Sequence, residues 1–289
     1  MSQSYYFESY PPLFRPPPNI PQIQESNSDE TESLLLDSHI PVIDYFKCTT
    51  PTIRTTKYQD VNEDRNLISE ACRDWGLFRL VNHGIPITLL NQIEEHAKKL
   101  FSLPYETKKA FFANSTSSSN FVSPISYFWG SPALSPSGAA LAPKKGAQEN
   151  NNQSLQWMEG FNPIKIECAV TNAKRVYHLD RCLLEEYGKE LSRLATEIFK
   201  ILGPFESNYM SIETGLLRVY RYPRCLEPER TWGIDTHTDS SVLSIIHQDD
   251  VGGLQVYKDH QWIDVNPLPN TLIVNIGDML QDLKFMPLL

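Results

Sequence analysis

The sequence predicts an α+β fold in which helices come first and a barrel or jelly roll of short strands follows. Apolar residues recur at helical spacing in the first part of the chain, with the longest stripe over 179–202. After Ser211 the apolar runs become short and are separated by Gly, Pro, Asn and Asp. Several short strands at this spacing are typical of one barrel or of a double-sheet jelly roll. We therefore expect a helical and mixed region over 39–205 and a strand-rich domain over 211–289.

Length and composition predict a globular protein that acts on a small molecule. The 289 residues are 40% hydrophobic, which is enough to bury a sizeable core. A net charge of −9 without a cluster of Lys or Arg argues against nucleic acid or an anionic membrane as the main partner. The sequence shows no signal peptide and no apolar run of about 18 residues. Five scattered cysteines without C-x-x-C spacing favour a reducing compartment, so we expect a cytoplasmic protein. We also expect a monomer.

The first 38 residues are predicted to be a disordered leader. They combine six prolines with the acidic segment ESNSDETES, which cannot bury much apolar surface. A PxxP ligand is the alternative interpretation of the proline cluster. Order is expected from Ile40, where IPVIDYF alternates as a short strand does, and a helix over 62–75, a strand over 77–81 and a helix from Pro86 follow.

Two stretches have both a functional and a purely structural interpretation. His83 lies in the strand-to-helix turn NHGIP, where backbone hydrogen bonds account for an imidazole without catalysis. Residues 114–153 are rich in Ser, Asn, Pro, Gly and Ala and carry the aromatic patch YFWG. We expect a long loop there, which is either a lid over a pocket or a disordered segment.

The predicted chemical centre is GIDTHTDSSVLSIIH, residues 233–247. We expect one β-strand, on which His237 and Asp239 point to the same face because strand side chains alternate. An imidazole and a carboxylate on one face supply two corners of the 2-His-1-carboxylate triad, which leaves three positions open on non-haem Fe(II). A bare His-x-Asp pair is a weak signal, since polar residues at this spacing are common in strands.

Several segments, in one order, resemble the plant Fe(II)- and 2-oxoglutarate-dependent dioxygenases. They are IPVIDYF, WGLFRLVNHGI, RVYRYPRC, HTDSSVLSIIHQDDVGGLQV, WIDVNP and LIVNIGDMLQ, and they run from Ile40 to Gln281. The YFWG, WMEGF and HQDDVGGLQV segments are most similar to gibberellin oxidases, first to the 2-oxidase branch and next to the 20-oxidase branch. The resemblance implies a double-stranded β-helix, or jelly-roll, core with N-terminal helices packed against one sheet.

The resemblance also implies the site residues. His237 and Asp239 match two metal ligands, and Tyr222 matches a tyrosine that helps to hold the distal carboxylate of 2-oxoglutarate. Arg218 lies on the same predicted strand and either meets a substrate carboxylate or is a surface cation. Tyr220 stands where many relatives have a small polar amide, which predicts an altered pocket.

The implied activity is that of an oxygenase acting on a small molecule. Fe(II), the co-substrate 2-oxoglutarate and O2 take part, with ascorbate in support, and the products are succinate, CO2 and a hydroxylated substrate. A small hydrophobic carboxylic acid of the gibberellin type fits a pocket of aromatic residues and one cation.

The C-terminal part of the sequence predicts an alternative for this polypeptide. The family pattern places a second histidine ligand on a later strand, followed by an Arg-x-Ser motif for 2-oxoglutarate, and neither is found. His247 is no substitute, because ten extended residues from His237 span about 33 Å, and His260 lies in the predicted turn KDHQW. The alternative is a C-terminally truncated, catalytically inactive member with an incomplete core and exposed sheet edges. A jelly-roll binding module without iron chemistry leaves the His237 and Asp239 pair unexplained.

Overall fold

The computed structural model describes eight stretches of the chain, which belong to two compact units. The described residues are 8–15, 40–49, 60–113, 126–130, 155–165, 181–203, 215–225 and 231–285. The first unit comprises Met1–Gln22, Gln92–Gly188 and Ile212–His237, and the second comprises Ile23–Asn91, Lys189–Ser211 and Thr238–Leu289.

Helices and strands are mixed up to residue 202, and strands predominate after it. In chain order they are β1 (Val42–Asp44), α1 (Tyr45–Thr49), α2 (Asp60–Asp74), β2 (Leu77–Val81), α3 (Ile87–Phe101), α4 (Tyr105–Ala113), β3 (Ser126–Trp129), β4 (Leu155–Gln156), β5 (Glu159–Lys165), α5 (Arg181–Leu202), β6 (Leu216–Arg221), β7 (Thr231–Trp232), β8 (Leu243–Ile246), β9 (Gln255–Lys258), β10 (Gln261–Asp264), β11 (Leu272–Ile276) and α6 (Asp278–Phe285). None of the described helices is long and apolar enough to cross a membrane.

The second unit contains a mixed sheet in the strand order β1, β2, β11, β8. β1 runs parallel to β2, whereas β11 is antiparallel to both of its neighbours. The sequence of β2, LFRLV, is buried at four of its five positions, as expected for a strand covered on both faces. One apolar cluster joins residues of β2, β10 and β11 with neighbouring segments: Ile40, Leu77, Ile263, Val265 and Ile273.

The hairpin of β9 and β10 turns at Asp259 and His260, whose φ angles are 50° and 65°. Two successive left-handed residues in a two-residue hairpin loop are typical of a type I′ turn. His260 is exposed there. The prediction that His260 lies in a turn is therefore confirmed.

The first unit contains an antiparallel sheet in the order β3, β5, β6 and a short parallel pair, β4 with β7. One apolar cluster of this unit contains four buried residues: Leu100, Phe101, Phe161 and Leu184. Leu217 and Val219 of β6 pack against this cluster. Because strand side chains alternate, Arg218 and Tyr220 lie on the opposite face of β6.

The structure differs from the predicted leader at residues 8–15, which pack in the first unit. Tyr10 is buried, and its hydroxyl donates a hydrogen bond to the carbonyl oxygen of Arg224 at 3.0 Å. Tyr10 and Phe14 contact Trp129 and Trp157, with ring centroids 5.2 to 6.1 Å apart. The burial of these rings stabilises a segment whose flanks are polar and proline-rich. The acidic part of the predicted leader lies outside the described residues.

The predicted strand over 233–247 is wrong over most of its length, because only Leu243–Ile246 forms a strand. The segment before β8 contains polar side chains that bond to nearby groups instead. Asp235 Oδ1 accepts a hydrogen bond from the backbone N–H of Thr236 at 2.9 Å. Such local bonds compete with strand pairing. His237 and Asp239 therefore do not share the face of a strand.

The predicted long loop over 114–153 contains an unpredicted strand, β3. The YFWG patch supplies most of this strand, which pairs antiparallel with β5. The rest of that predicted loop lies outside the described residues. Helices α4 and α6 were also not predicted.

Three charged side chains form a buried cluster in the first unit. Lys108 and Glu159 are both fully buried, and Lys108 Nζ donates to Glu159 Oε2 at 2.6 Å. The same ammonium donates to the carbonyl oxygens of Phe101 at 2.9 Å and Ser9 at 3.0 Å. Arg221 Nη1 lies 3.0 Å from Glu159 Oε1. Burial lowers the pKa of Lys108 to about 8 while Glu159 opposes that shift, so the ammonium stays charged at neutral pH.

Removing the Lys108 ammonium should strongly destabilise the protein. Lys108→Met leaves Glu159 buried without its closest cation, and breaking a buried ion pair in this way costs about 3–5 kcal/mol. The free energy of unfolding in urea measures the loss. Lys99→Met is the matched control, since Lys99 forms an exposed pair with Glu95 at 3.5 Å and should cost less than about 1 kcal/mol. Equal losses in the two variants would contradict this role of the cluster.

Candidate functional site

Three predicted site residues lie on β6 or just after it. Arg218 is exposed, and Tyr220 makes a T-shaped contact with Phe128 at 6.0 Å between ring centroids. Tyr222 follows the strand, with half of its surface exposed and its ring close to Gly233, where a Cβ would lie 2.9 Å from ring atom Cε1. Partial burial and the neighbouring Tyr220 raise the pKa of the Tyr222 phenol to about 12. The phenol is therefore a hydrogen-bond donor at neutral pH.

The imidazole of His237 is exposed, and its own chain segment fixes its tautomer. Nδ1 lies 2.7 Å from the carbonyl oxygen of Asp235. Because a carbonyl oxygen only accepts, Nδ1 carries the proton in the neutral ring and Nε2 carries the lone pair. Histidines that bind metals through one nitrogen commonly donate through the other in this way.

Asp239 is held by the end of β11 and the start of α6. Its Oδ2 accepts a hydrogen bond from Asn275 Nδ2 at 2.7 Å, and its backbone oxygen accepts from the N–H of Asp278 at 2.8 Å. The preceding residue, Thr238, donates through its hydroxyl to Asp278 Oδ2 at 2.8 Å. These bonds fix both the backbone and one carboxylate oxygen of Asp239.

Gly277 allows this close approach between the two backbone segments. A Cβ at this position would lie 1.9 Å from the carbonyl oxygen of Ser241 and 3.0 Å from that of Asp239. The Gly277 N–H donates to the carbonyl oxygen of Val242 at 3.0 Å. A side chain here would push the segments apart, so glycine is required for the backbone contact that holds Asp239.

Two family models match the chain, one in its N-terminal half and one in its C-terminal half. The model for the N-terminal region of non-haem dioxygenases in morphine synthesis matches residues 40–127, and the 2OG-Fe(II) oxygenase superfamily model matches residues 213–287. Gibberellin 2-beta-dioxygenase 8 of Arabidopsis thaliana is 30% identical over 273 residues, which cover 90% of this chain and 72% of that protein. The chain belongs to the 2-oxoglutarate- and Fe(II)-dependent oxygenase superfamily.

Further comparisons agree with this membership. Gibberellin 3-beta-dioxygenase 4 of Arabidopsis thaliana is 33% identical over 268 residues, covering 86% of this chain and 65% of that protein. The crystal structure of JOX2 in complex with 2OG, Fe and JA has a TM-score of 0.59 at 28% identity and covers 84% of this chain and 65% of that protein. The predicted fold class, an α+β chain of the double-stranded β-helix type, is confirmed by this similarity. Fe(II) and 2-oxoglutarate are the cofactor and co-substrate of the superfamily.

The donor atoms of His237 and Asp239 suit Fe(II). An imidazole nitrogen and a carboxylate oxygen are two of the three protein ligands in the facial arrangement of non-haem oxygenases. Within the described stretches, no group of three His, Cys, Asp or Glu side chains is placed to hold a metal ion together. The assignment of His237 and Asp239 as metal ligands therefore stays a prediction from the resemblance.

The residues that hold Asp239 were not predicted, although one of the segments that carry the family resemblance contains them. Asn275, Gly277 and Asp278 all lie in LIVNIGDMLQ. A signal was present there: a polar amide inside an apolar strand is unusual, and a glycine followed by an acidic residue is typical of a turn into a helix.

His83 has the structural role that the sequence predicted. It is buried, and its Nδ1 accepts a hydrogen bond from the N–H of Ile85 at 3.1 Å. A further hydrogen bond links the ring to the backbone of Asn270. Burial lowers the pKa of His83, and the nearby His247 and Arg193 lower it further. The neutral ring therefore holds the turn between β2 and α3.

Replacing His83 should lower stability in a way that depends on pH. His83→Ala leaves the Ile85 N–H without its acceptor, which costs roughly 1–3 kcal/mol. Because the folded pKa lies below the ordinary value of 6.5, the unfolded state binds more protons between the two values. The stabilisation is complete above pH 6.5 and declines as the pH falls toward the folded pKa.

The free energy of unfolding in urea, determined from about pH 5 to pH 8, measures the contribution of His83 to stability. The stability difference between the native chain and His83→Ala should shrink as the pH falls. The control is His96→Ala, which removes a partly exposed histidine of α3 whose ring bonds to the Gln92 carbonyl oxygen. A difference that is constant across this pH range would contradict the neutral, buried His83.

Proposed function

We propose that this chain is an Fe(II)- and 2-oxoglutarate-dependent oxygenase that hydroxylates a small hydrophobic carboxylic acid of the gibberellin type. The observation that carries the proposal is the orientation of the two metal ligands. The tautomer of His237 is set by the Asp235 carbonyl, and Asp239 is held by Asn275. Side chains fixed in this way by neighbouring hydrogen bonds are suited to bind a metal.

The other predicted site residues have roles in binding the organic ligands. Tyr222 donates its phenolic hydrogen to the distal carboxylate of 2-oxoglutarate. Arg218 lies on the face of β6 that also carries Tyr220 and is exposed, so its guanidinium pairs with the substrate carboxylate. Fe(II) with O2 supplies the oxidising power when bound, as 2-oxoglutarate becomes succinate and CO2 and one C–H bond becomes C–OH.

The names of the two curated relatives support a gibberellin-type substrate. One is a gibberellin 2-beta-dioxygenase at 30% identity and the other a gibberellin 3-beta-dioxygenase at 33%. The 2-beta and 3-beta relatives match at nearly equal identity, so we propose the gibberellin class of substrate and no single branch. We further infer a cytoplasmic monomer, in line with the acidic charge of −9 and the scattered cysteines.

Succinate formation tests the proposed activity. The purified chain, supplied with Fe(II), ascorbate and 2-oxoglutarate, should form succinate, and His237→Ala or Asp239→Ala should reduce the rate by more than about 100-fold because each removes a metal ligand. His260→Ala is the control, since that histidine lies in the exposed hairpin turn and should leave the rate unchanged. Failure of the native chain to exceed the two ligand variants would favour the alternative of an inactive family member.

The role of Tyr222 can be measured in the same assay. Tyr222→Phe removes one hydrogen bond to a carboxylate and should raise the KM for 2-oxoglutarate by about tenfold, with little change in kcat. Tyr257→Phe alters another exposed tyrosine, on β9, and should change neither constant. An unchanged KM in Tyr222→Phe would remove Tyr222 from the 2-oxoglutarate site.

A further inference from the structure

We propose that Asn275 is a positioning residue that makes Asp239 a ligand through one oxygen only. The side-chain amide of Asn275 holds Oδ2 of Asp239 at 2.7 Å, so that Oδ1 is the oxygen that would bind the metal. This inference rests on the proposed function, because it assigns a geometry to the same metal ligand.

The backbone of Asn275 is fixed on both sides. β11 is an inner strand of its sheet, and Asn275 is paired with Leu77 of β2 and with Ser244 of β8. An amide on such a strand has little freedom to move away from its acceptor. The donor is therefore already in place before any metal binds.

Asn275 is also the polar exception within an apolar strand. The other four residues of β11 are buried and apolar: Leu272, Ile273, Val274 and Ile276. Asparagine is depleted in strands, and a partly buried amide destabilises the fold unless it is hydrogen-bonded. The bond to Asp239 accounts for a polar side chain at this position.

The acceptor is held as firmly as the donor. The Asp278 N–H binds the backbone oxygen of Asp239 at 2.8 Å, and Gly277 brings the two backbones into contact. The short distance between Asn275 and Asp239 is therefore set by the backbone on both sides. It does not depend on a flexible loop.

Holding one oxygen has a consequence for coordination. A carboxylate that binds through both oxygens occupies two positions on the metal, whereas the facial arrangement needs three positions open for 2-oxoglutarate and O2. With Oδ2 engaged by Asn275, Asp239 would occupy a single position on the metal. The amide would thus prevent the carboxylate from taking a second position on the metal.

Cobalt(II), a spectroscopic substitute for Fe(II), tests this proposal on the full chain. Asn275→Ala and Asn275→Val both remove the donor, and valine also favours the strand conformation, so that β11 is preserved. Each variant should bind Co(II) about 10- to 100-fold more weakly. The visible absorption of bound Co(II) should also change, because the carboxylate can then bind through two oxygens. A purely structural role would lower thermal stability and leave this spectrum unchanged.

Gln255→Ala is the matched control. Gln255 donates its side-chain amide to Asp264 Oδ1, also at 2.7 Å, on the exposed hairpin. This variant should keep the native Co(II) affinity and spectrum. Native affinity and spectrum in both Asn275 variants would overturn the positioning role.

Asp239→Ala separates this inference from the proposed function. If Asp239→Ala weakens Co(II) binding but the Asn275 variants do not, only the positioning role fails. If Asp239→Ala has no effect, or if the native chain binds no Co(II), the metal site itself fails and the positioning role fails with it.

Discussion

The antiparallel pairing of β11 with β2 and β8 is the constraint on which the second unit depends. β11 lies between these two strands and provides the buried apolar centre of the sheet. Its C-terminal end continues through Gly277 into α6, and this continuation meets the backbone before β8. The position of Asp239 therefore follows from sheet pairing, although Asp239 itself lies outside any strand.

The periodic parts of the fold could be predicted because local sequence determines them. The helices expected over 62–75 and 179–202 correspond to α2 and α5, and the strand expected over 77–81 is β2. Their apolar residues recur at the period of the element that buries them. The predicted family follows from several such segments in one order, and the comparisons confirm it.

Two failures of prediction share a physical cause, which is that residues distant in the sequence decide the outcome. The bond between Asn275 and Asp239 joins residues 36 positions apart, so no local pattern reveals it. Tyr10 lies in a proline-rich segment, but it is buried against Trp129 and Trp157. The strand predicted around His237 and Asp239 fails for a local reason instead, because the Asp235 side chain bonds to the neighbouring backbone and competes with strand pairing.

Burial and hydrogen bonding separate the structural polar residues from the candidate ligands. Lys108 is fully buried, and each of its three ammonium protons has an acceptor. His83 is buried, with hydrogen bonds at its ring. His237, by contrast, is exposed and its proton is directed to a backbone carbonyl. A histidine that is oriented but accessible is the more suitable metal ligand.

Because of the aromatic contacts of residues 8–15, tryptophan fluorescence reports whether this segment is packed. Trp129 is buried among Tyr10, Phe14 and Trp157, so its fluorescence is emitted from an apolar environment. Trp232 and Trp262 are exposed, so their fluorescence is emitted from an aqueous environment at longer wavelength. A shift of the short-wavelength emission alone would therefore show that the N-terminal segment had left the first unit while the rest of the chain stayed folded.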